Sequence, residues 1–240
     1  MTRLLASVMS AAEAALALDG GADIIDLKNP AAGALGALPS AVLGACVAAV
    51  GGRRPVSATI GDLPLDPPRV AEAVAYTAAT GVGIVKIGLF DGDLPGCLAA
   101  LKERRGRPAR LVAVLFADRA PDLSVLGPLA EAGFLGAMID TADKAAGPLL
   151  RHMDLPALAA FLAQARALGL MTGLAGSLRL DDVPALAALR PDYLGFRGAL
   201  CGPHGRSGAL DPRALAAVRR ALDRCGVQRP SAATATAGAQ

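Results

Sequence analysis

The sequence is poor in aromatic residues and in histidine, and neither sign of charge dominates it. It contains no tryptophan, 3% aromatic residues and two histidines in 240 residues, and its formal net charge is +3. Proteins that bind nucleic acid usually carry a basic stripe, but here the arginines are scattered, so we predict no nucleic-acid partner. The histidines His152 and His204 form no cluster with carboxylates at a metal-ligand spacing. We therefore predict no metal and no cofactor.

Long apolar runs and paired cysteines are also missing. Although 53% of the residues are hydrophobic, no run approaches the roughly 18 uninterrupted apolar residues of a membrane-spanning helix. The apolar stretch at the N-terminus is too short for a secretion signal, and Glu13 and Asp19 follow it at once. The cysteines show neither a CxxC pair nor a metal-binding spacing; they are Cys46, Cys97, Cys201 and Cys225. We expect a cytoplasmic protein with free, buried thiols and no membrane partner.

Short apolar strands alternate with helices along most of the chain. The predicted strands are residues 4–8, 22–28, 55–62, 83–89, 110–116, 135–140, 170–174 and 193–197. Each is followed by a predicted helix, the first of which begins with the capping box of Ser10 and Glu13. Eight such units predict a single-domain α/β protein, a (β/α)8 TIM barrel, over residues 1–227. Residues 228–240 have low complexity and are predicted to be a disordered tail.

A doubly wound open sheet is the alternative fold. It would not normally need eight regular units, and no GxGxxG motif follows any predicted strand, so a dinucleotide-binding fold gains no support. The regular repeat favours the barrel.

Charged residues lie at the carboxyl ends of three predicted strands, where TIM barrels carry their catalytic groups. The second strand ends in Asp26 and Lys28, which are two residues apart and so point to one face. Lys86 lies in the fourth strand, Asp140 ends the sixth, and Lys144 follows four residues later. Because alternate strands contribute to shared layers inside a barrel, we expect the even-numbered strands to bring these charges together. Burying charges on three separate strands without a function would be costly, so we predict that Lys28, Lys86 and Asp140 are catalytic, together with Asp26.

Lysines inside a barrel favour carbonyl chemistry. An ordinary lysine has a pKa of about 10.4 and is a poor nucleophile. A second ammonium group and an apolar wall lower that pKa and release a neutral amine that can form a Schiff base. Lys28 and Lys86 can act on each other in this way, one as nucleophile and one as proton shuttle. Asp26 and Asp140 would orient them.

The loops after strands seven and eight form the usual phosphate site of this fold. The predicted phosphate-binding residues there are Gly176, Ser177, Arg197 and Gly198. Backbone N–H groups, a hydroxyl and a guanidinium suit a phosphorylated aldehyde or ketone. Ser57 and Asp62, at the end of strand three, are further candidates for binding substrate. His204 is a candidate for substrate contact, and we interpret His152, in the loop before residue 154, as surface or helix-entry packing.

Several segments of the chain resemble one known family, the (5-formylfuran-3-yl)methyl phosphate synthases. The resemblance runs in order from the first strand to the last helix. Its segments are residues 21–30, 55–62, 85–89, 140–144, 174–178 and 195–201. The first two are the most specific. After Lys144 the chain departs from the family pattern, with Ala145-Ala146-Gly147 where Asp-Gly is often found.

The resemblance implies an activity and roles for residues. It implies a carbon–oxygen lyase that condenses two molecules of glyceraldehyde 3-phosphate into 4-(hydroxymethyl)-2-furancarboxaldehyde phosphate, with loss of phosphate and water, in methanofuran biosynthesis. Lys28 matches the family's Schiff-base lysine, Lys86 its proton acceptor, and Lys144 a third lysine of its active site.

Two other classes of function remain open from the residues themselves. One is a class I aldolase or sugar-phosphate isomerase on the same barrel, with Lys28 as the Schiff base. The other is a non-catalytic barrel that binds a phosphorylated ligand, because a fold constrains function only loosely. Barrels of this size often assemble, so we expect a homo-oligomer.

Overall fold

The computed structural model describes residues 1–103, 109–202 and 205–227. Within these ranges, strands and helices alternate. The strands are β1 Arg3–Val8, β2 Ile24–Leu27, β3 Val56–Thr59, β4 Ile84–Gly88, β5 Arg110–Phe116, β6 Gly136–Asp140, β7 Met171–Leu174 and β8 Tyr193–Phe196. The helices are α1 Ala11–Asp19, α2 Ser40–Val50, α3 Pro67–Ala78, α4 Leu94–Lys102, α5 Leu126–Glu131, α6 Leu149–His152, α7 Leu155–Ala167, α8 Val183–Ala188 and α9 Pro212–Val227. The predicted tail, residues 228–240, lies outside the described residues.

The eight strands form a closed parallel barrel, as the sequence predicted. Each strand pairs with the next along the chain, and β8 pairs with β1. The main difference concerns β3, which ends at Thr59 instead of continuing to residue 62. Beyond it the chain turns to hold the loop after β2, because the Gly61 N–H donates to the Leu35 carbonyl.

Strand alternation decides which side chains enter the barrel. Successive strand residues point to opposite faces of the sheet. In β2, Ile25 and Leu27 belong to the apolar core between the barrel and its helices. Asp26 and Lys28 therefore point inward, and they line one cavity together with Lys86 of β4. The period of two in the sequence is the direct cause of this clustering.

Apolar side chains fill the amino end of the barrel and close it. Tyr193, the first residue of β8, is 1% exposed. A Cβ atom on Gly173 of the neighbouring strand would lie 2.2 Å from Tyr193 Cζ, so only glycine leaves room for this ring. Burial raises the pKa of Tyr193, which keeps the phenol neutral. The open cavity is thus restricted to the carboxyl end.

The start of α1 differs from the predicted capping box. The Ser10 hydroxyl accepts a hydrogen bond from the Glu13 N–H, as expected of an N-cap. The Glu13 carboxylate, however, accepts from the Met9 N–H and not from that of Ser10. It also pairs with Arg197 at 2.6 Å, and this ion pair with a distant residue draws the side chain away from the reciprocal geometry.

The cysteines are free, and three of them are buried: Cys46, Cys97 and Cys201. Cys225 is only half-buried, so the expectation that all four thiols are buried is wrong for this residue. It lies near the end of α9.

Candidate active site

Two buried carboxylates hold three lysines at the carboxyl end of the barrel. Asp26 Oδ1 lies 2.7 Å from Lys86 Nζ. Asp140 Oδ1 lies 2.5 Å from Lys144 Nζ, and its Oδ2 lies 3.7 Å from Lys28 Nζ. All five side chains line one cavity of about 480 Å³, a volume typical of small-molecule sites. The structure therefore brings together the five residues that the sequence indicated as catalytic.

Two serines fix the orientation of Asp26. Ser57 of β3 donates to Asp26 Oδ1 at 2.6 Å, and Ser7 of β1 donates to Oδ2 at 3.0 Å. Both serines pair in register with Asp26 across the sheet. Ser57 is 1% exposed, so its hydroxyl is occupied by the hydrogen bond to Asp26 and is not open to the cavity. Sequence reasoning missed Ser7, although its inward position in β1 follows from the alternation of that strand.

In the Asp26–Lys86 pair, the pKa of each group is lower than its ordinary value. Burial by itself raises the pKa of Asp26, but the charges of Lys86 and Lys28 outweigh burial and hold it below its ordinary value. Burial lowers the pKa of Lys86; the Asp26 carboxylate opposes this and the Lys28 ammonium adds to it. Lys86 therefore gives up its proton more readily than an ordinary lysine, which suits a group that accepts a proton from substrate.

Asp140 and Lys144 form the second such pair. Burial raises the pKa of Asp140, yet the charges of Lys144 and Lys28 hold it well below its usual range. Burial lowers the pKa of Lys144, Asp140 opposes this, and Lys28 lowers it further. Lys144 also donates to the carbonyl and the hydroxyl of Thr141. These bonds fix its amine beside Asp140.

We expect the protein to lose stability in acid because of these two carboxylates. A carboxyl group whose pKa is lowered on folding stabilises the native state above its ordinary pKa of 3.8, and this contribution disappears as the pH falls toward the lowered value. The free energy of unfolding, measured by urea denaturation, should therefore change little between pH 5 and 7 on their account. Below about pH 4 it should fall by up to about 1.4 kcal/mol per pH unit for each carboxylate.

Asp26→Asn is the control for this acid prediction. It should lower stability at pH 6, and its stability should fall less steeply than that of the wild type below pH 4. Equal slopes for the two proteins would show that Asp26 does not contribute.

Lys28 differs from the other two lysines in the contacts of its amine. Its Nζ is 3.7 Å from Asp140, beyond hydrogen-bond distance, and it has no closer acceptor within the described ranges. Three of the four lysines in the chain line the cavity, whereas Lys102 is exposed on α4. Lys28 is therefore the amine of the cluster that can approach a ligand without first breaking a bond.

Asp118 positions the loop that carries Lys144. This residue follows β5, and its carboxylate accepts from the N–H groups of Ala142 and Asp143, both at 2.7 Å. Burial raises the pKa of Asp118, but these backbone bonds bring it below its ordinary value. The Asp118 side chain thus holds the backbone at the start of the loop after β6.

The loops after β7 and β8 form the opposite wall of the cavity. Gly176, Ser177, Arg197 and Gly198 all line it. Gly176 and Ser177 have positive φ angles, 109° and 50°, which a serine adopts at a cost in strain. Their N–H groups have no protein acceptor among the described residues, and backbone donors of this kind bind anions.

The side chain of Arg197 is engaged within the protein. Its guanidinium donates to both oxygens of Glu13 and to the carbonyls of Ser7, Arg206 and Gly208. These bonds use all five of its N–H groups. Phosphate binding by this guanidinium, which the sequence predicted, would require some of them to break. The geometry gives the side chain a positioning role instead.

The carboxylate of Asp62, like the guanidinium of Arg197, is hydrogen-bonded within the protein. Its carboxylate accepts from the N–H groups of Ala34 and Leu35, at 2.8 and 2.7 Å. A Cβ atom on Gly33, whose φ is 113°, would lie 2.2 Å from Asp62 Oδ2, so glycine is needed there. Asp62 therefore shapes the loop that follows Lys28.

The two histidines have different outcomes. His204 lies outside the described residues, so substrate contact by it stays a prediction. His152 is the last residue of the short helix α6 and does not lie in a loop as the sequence suggested. Its Nε2 atom is buried and has no hydrogen-bond partner among the described residues.

The sequence matches a family model, described as 4-HFC-P synthase, over residues 4–219. This match spans most of the barrel and includes every described residue of the cavity. The chain belongs to the 4-HFC-P synthase family.

Relatives of this 4-HFC-P synthase family member come from bacteria and from archaea. A putative (5-formylfuran-3-yl)methyl phosphate synthase of Methylorubrum extorquens is 49% identical, covering 92% of this chain and 91% of that protein. The (5-formylfuran-3-yl)methyl phosphate synthase of Methanopyrus kandleri is 37% identical, over 92% of this chain and 98% of that protein. That of Methanosarcina mazei is 36% identical, over 83% and 91%. The family resemblance found in the sequence motifs is confirmed.

Solved structures similar to this 4-HFC-P synthase family member are barrel enzymes of distant sequence. A KGPDC from Streptococcus mutans superposes with a TM-score of 0.67 at 12% identity, covering 93% of this chain and 98% of that one. Phosphoribosyl anthranilate isomerase from Thermus thermophilus has a TM-score of 0.64 at 16% identity, covering 93% and 99%. At such identities the likeness supports the fold alone.

Across residues 1–103, 109–202 and 205–227, the structure has no helix that is both long and apolar enough to cross a membrane.

Proposed function

We propose that this protein condenses two molecules of glyceraldehyde 3-phosphate into 4-(hydroxymethyl)-2-furancarboxaldehyde phosphate through a Schiff base on Lys28. The atoms balance when one furan phosphate, one inorganic phosphate and two waters are formed. The names of the relatives support this product. The enzyme would act as a carbon–oxygen lyase in methanofuran biosynthesis.

The observation that carries the proposal is the contact pattern of the three lysines. Lys86 and Lys144 are paired with carboxylates at 2.7 and 2.5 Å, whereas Lys28 Nζ, among the described residues, has only the longer 3.7 Å approach to Asp140. The cavity thus holds one amine available for attack and a second, deeply buried amine that can exchange a proton. Schiff-base catalysis needs both groups.

In the first half of the reaction, Lys28 Nζ attacks the carbonyl carbon of one triose phosphate. The carbonyl oxygen leaves as water and an iminium ion forms. Lys86 then takes a proton from the adjacent carbon, and the electron pair of that C–H bond forms the enamine. The Lys86 ammonium formed in this step would stay paired with Asp26, whose Oδ1 atom lies 2.7 Å from Lys86 Nζ.

In the second half, the enamine carbon adds to the aldehyde of the second triose phosphate. Elimination of one phosphate, ring closure and dehydration complete the furan, and water releases Lys28. Asp140 and Lys144 lie beside Lys28 and are placed to exchange protons with the leaving oxygens. The retained phosphate would lie on the loops after β7 and β8.

The test measures two products from glyceraldehyde 3-phosphate. The wild-type protein and the surface variant Lys102→Ala should both give the absorbance of a conjugated furan aldehyde and release one inorganic phosphate per furan. An aldolase or isomerase would give a sugar phosphate without inorganic phosphate, and a binding protein would give neither product. Either of these results would overturn the proposal.

A further inference from the structure

Three arginines line the cavity. Arg179, in the loop after β7, is exposed, and Arg197 is bonded within the protein; the third is Arg206. It belongs to a short 3₁₀ turn, Gly205–Ser207, in the loop after β8, and it lines the same cavity as the lysines. Its Nη2 donates to the Gly33 carbonyl at 3.0 Å. Arg206 therefore connects the loop after β8 with the loop that follows Lys28.

The two arginines of this loop differ in how their charge is compensated. Arg197 forms a bidentate pair with Glu13, and all of its donors are bonded to protein. Arg206 has no carboxylate within 4.0 Å among the described residues, and its guanidinium donates there to one acceptor, the Gly33 carbonyl. Its Nε and Nη1 donors are therefore available to an anion in the cavity, whereas the donors of Arg197 are not.

Arg197 also positions Arg206. Its Nε donates to the Arg206 carbonyl at 2.9 Å, so its pair with Glu13 anchors the backbone of the turn. Gly198 packs beside that turn, because a Cβ atom on Gly198 would lie 3.9 Å from the Arg206 N and Cβ atoms. Arg206 is thus part of the same cavity wall as Gly198.

The electrostatic surroundings agree with this position. Burial lowers the pKa of Arg206, and the carboxylates of Asp140 and Asp62 oppose that effect. The guanidinium is therefore partly desolvated, and it interacts electrostatically with the Asp140 carboxylate. A phosphate bound between Arg206 and the loop after β7 would be attracted more strongly to this partly desolvated guanidinium than to one in bulk water.

We propose that Arg206, and not Arg197, is the guanidinium that binds the phosphate of a triose phosphate in this cavity, with Arg197 as a positioning residue. The identity of the substrate rests on the proposed function above. Bound phosphate would be held by Nε and Nη1 while Nη2 stays on Gly33. Because Gly33 lies in the loop after Lys28, phosphate binding would also hold the segment that follows the proposed nucleophile.

The test is the binding of glycerol 3-phosphate, measured by isothermal titration calorimetry. This probe carries the phosphate but no carbonyl group, so its binding does not depend on Schiff-base chemistry. Arg206→Gln should raise the dissociation constant about 10- to 100-fold, as expected for loss of charge-assisted hydrogen bonds. Arg206→Lys keeps the charge but not the fork and should fall between the wild type and Arg206→Gln. Arg213→Gln, an exposed arginine at the start of α9, should bind like the wild type.

Thermal unfolding of the unliganded variants separates phosphate binding from a purely structural link to Gly33. Phosphate binding predicts weaker binding in Arg206→Gln with little change in the melting temperature. An unchanged dissociation constant would overturn the proposal. So would equal weakening in Arg206→Gln and Arg206→Lys together with a lower melting temperature, or the absence of binding to the wild type.

These results are independent of the proposed reaction. Arginine-dependent binding of glycerol 3-phosphate without furan formation would support Arg206 as the phosphate ligand and refute the synthase reaction. Furan formation with an unchanged dissociation constant in Arg206→Gln would refute the role of Arg206 and leave the reaction in place.

Discussion

Lys28→Ala is expected to abolish trapping of glyceraldehyde 3-phosphate by borohydride and to reduce furan formation about 10⁴-fold or more. The amine of Lys28 is the group proposed to bond to substrate, and neither neighbouring lysine can replace it without leaving its carboxylate. The measurement is the intact mass of the protein after incubation with substrate and borohydride. A mass increase should appear in the wild type and be absent from the variant.

The structure indicates that Lys28→Ala should still fold. Asp140 keeps its pair with Lys144 and its bond from the Thr141 N–H, so the buried carboxylate beside Lys28 retains two partners. Lys102→Ala is the matched control, because it removes the exposed lysine of the chain and should leave both trapping and furan formation unchanged. An adduct of normal yield in Lys28→Ala would show that another lysine is the nucleophile.

Lys86→Met is expected to separate adduct formation from turnover. Lys28 remains available, so trapping by borohydride should persist. Furan formation should fall about 10³-fold, since the variant lacks the group that takes the proton from the iminium adduct. Loss of trapping in a folded Lys86→Met protein would contradict these roles and point to Lys86 as the nucleophile.

The same substitution should be strongly destabilising. Asp26 is 0% exposed. Without Lys86, the partners left to its carboxylate in the described part of the chain are the hydroxyls of Ser7 and Ser57 and the more distant Lys28. Removing one partner of a buried ion pair costs about 3 kcal/mol or more, which urea denaturation at pH 7 would measure. Adding Asp26→Asn removes the uncompensated charge, so the double variant should regain about 2 kcal/mol. A double variant less stable than Lys86→Met would show that the serines alone satisfy the carboxylate.

Much of the fold follows from local patterns in the sequence. Apolar strands of regular length, separated by glycine pairs and proline-started helices, predicted the closed eight-stranded barrel. The errors were local. The third strand ends at Thr59 because the residues after it hold the loop after β2, and Glu13 leaves its capping position because Arg197 attracts it from the far end of the chain.

The residues indicated as catalytic come together for a reason visible in the sequence. Asp26 lies in β2 and Lys28 directly follows that strand, two residues later. The inward direction of the charged side chains on β4 and β6 follows from the same alternation. The pairing itself was not predictable. Which carboxylate holds which lysine, and that Lys28 has the longest contact, depend on distances between strands that are remote in the chain.

The barrel, the inward face of each strand and the family could all be read from the amino-acid sequence, because they depend on short-range periodicity and on contiguous motifs. Which polar residues bond within the protein and which remain available to a ligand became visible only in the folded molecule. Ser57 bonds to Asp26, Asp62 holds the loop at Ala34 and Leu35, and Arg197 pairs with Glu13. Arg206, in contrast, pairs with no carboxylate among the described residues. The physical reason is that a buried polar group that is hydrogen-bonded or ion-paired within the protein is no longer available to a ligand. Which groups are bonded in this way depends on the folded arrangement, because their partners are remote in the sequence.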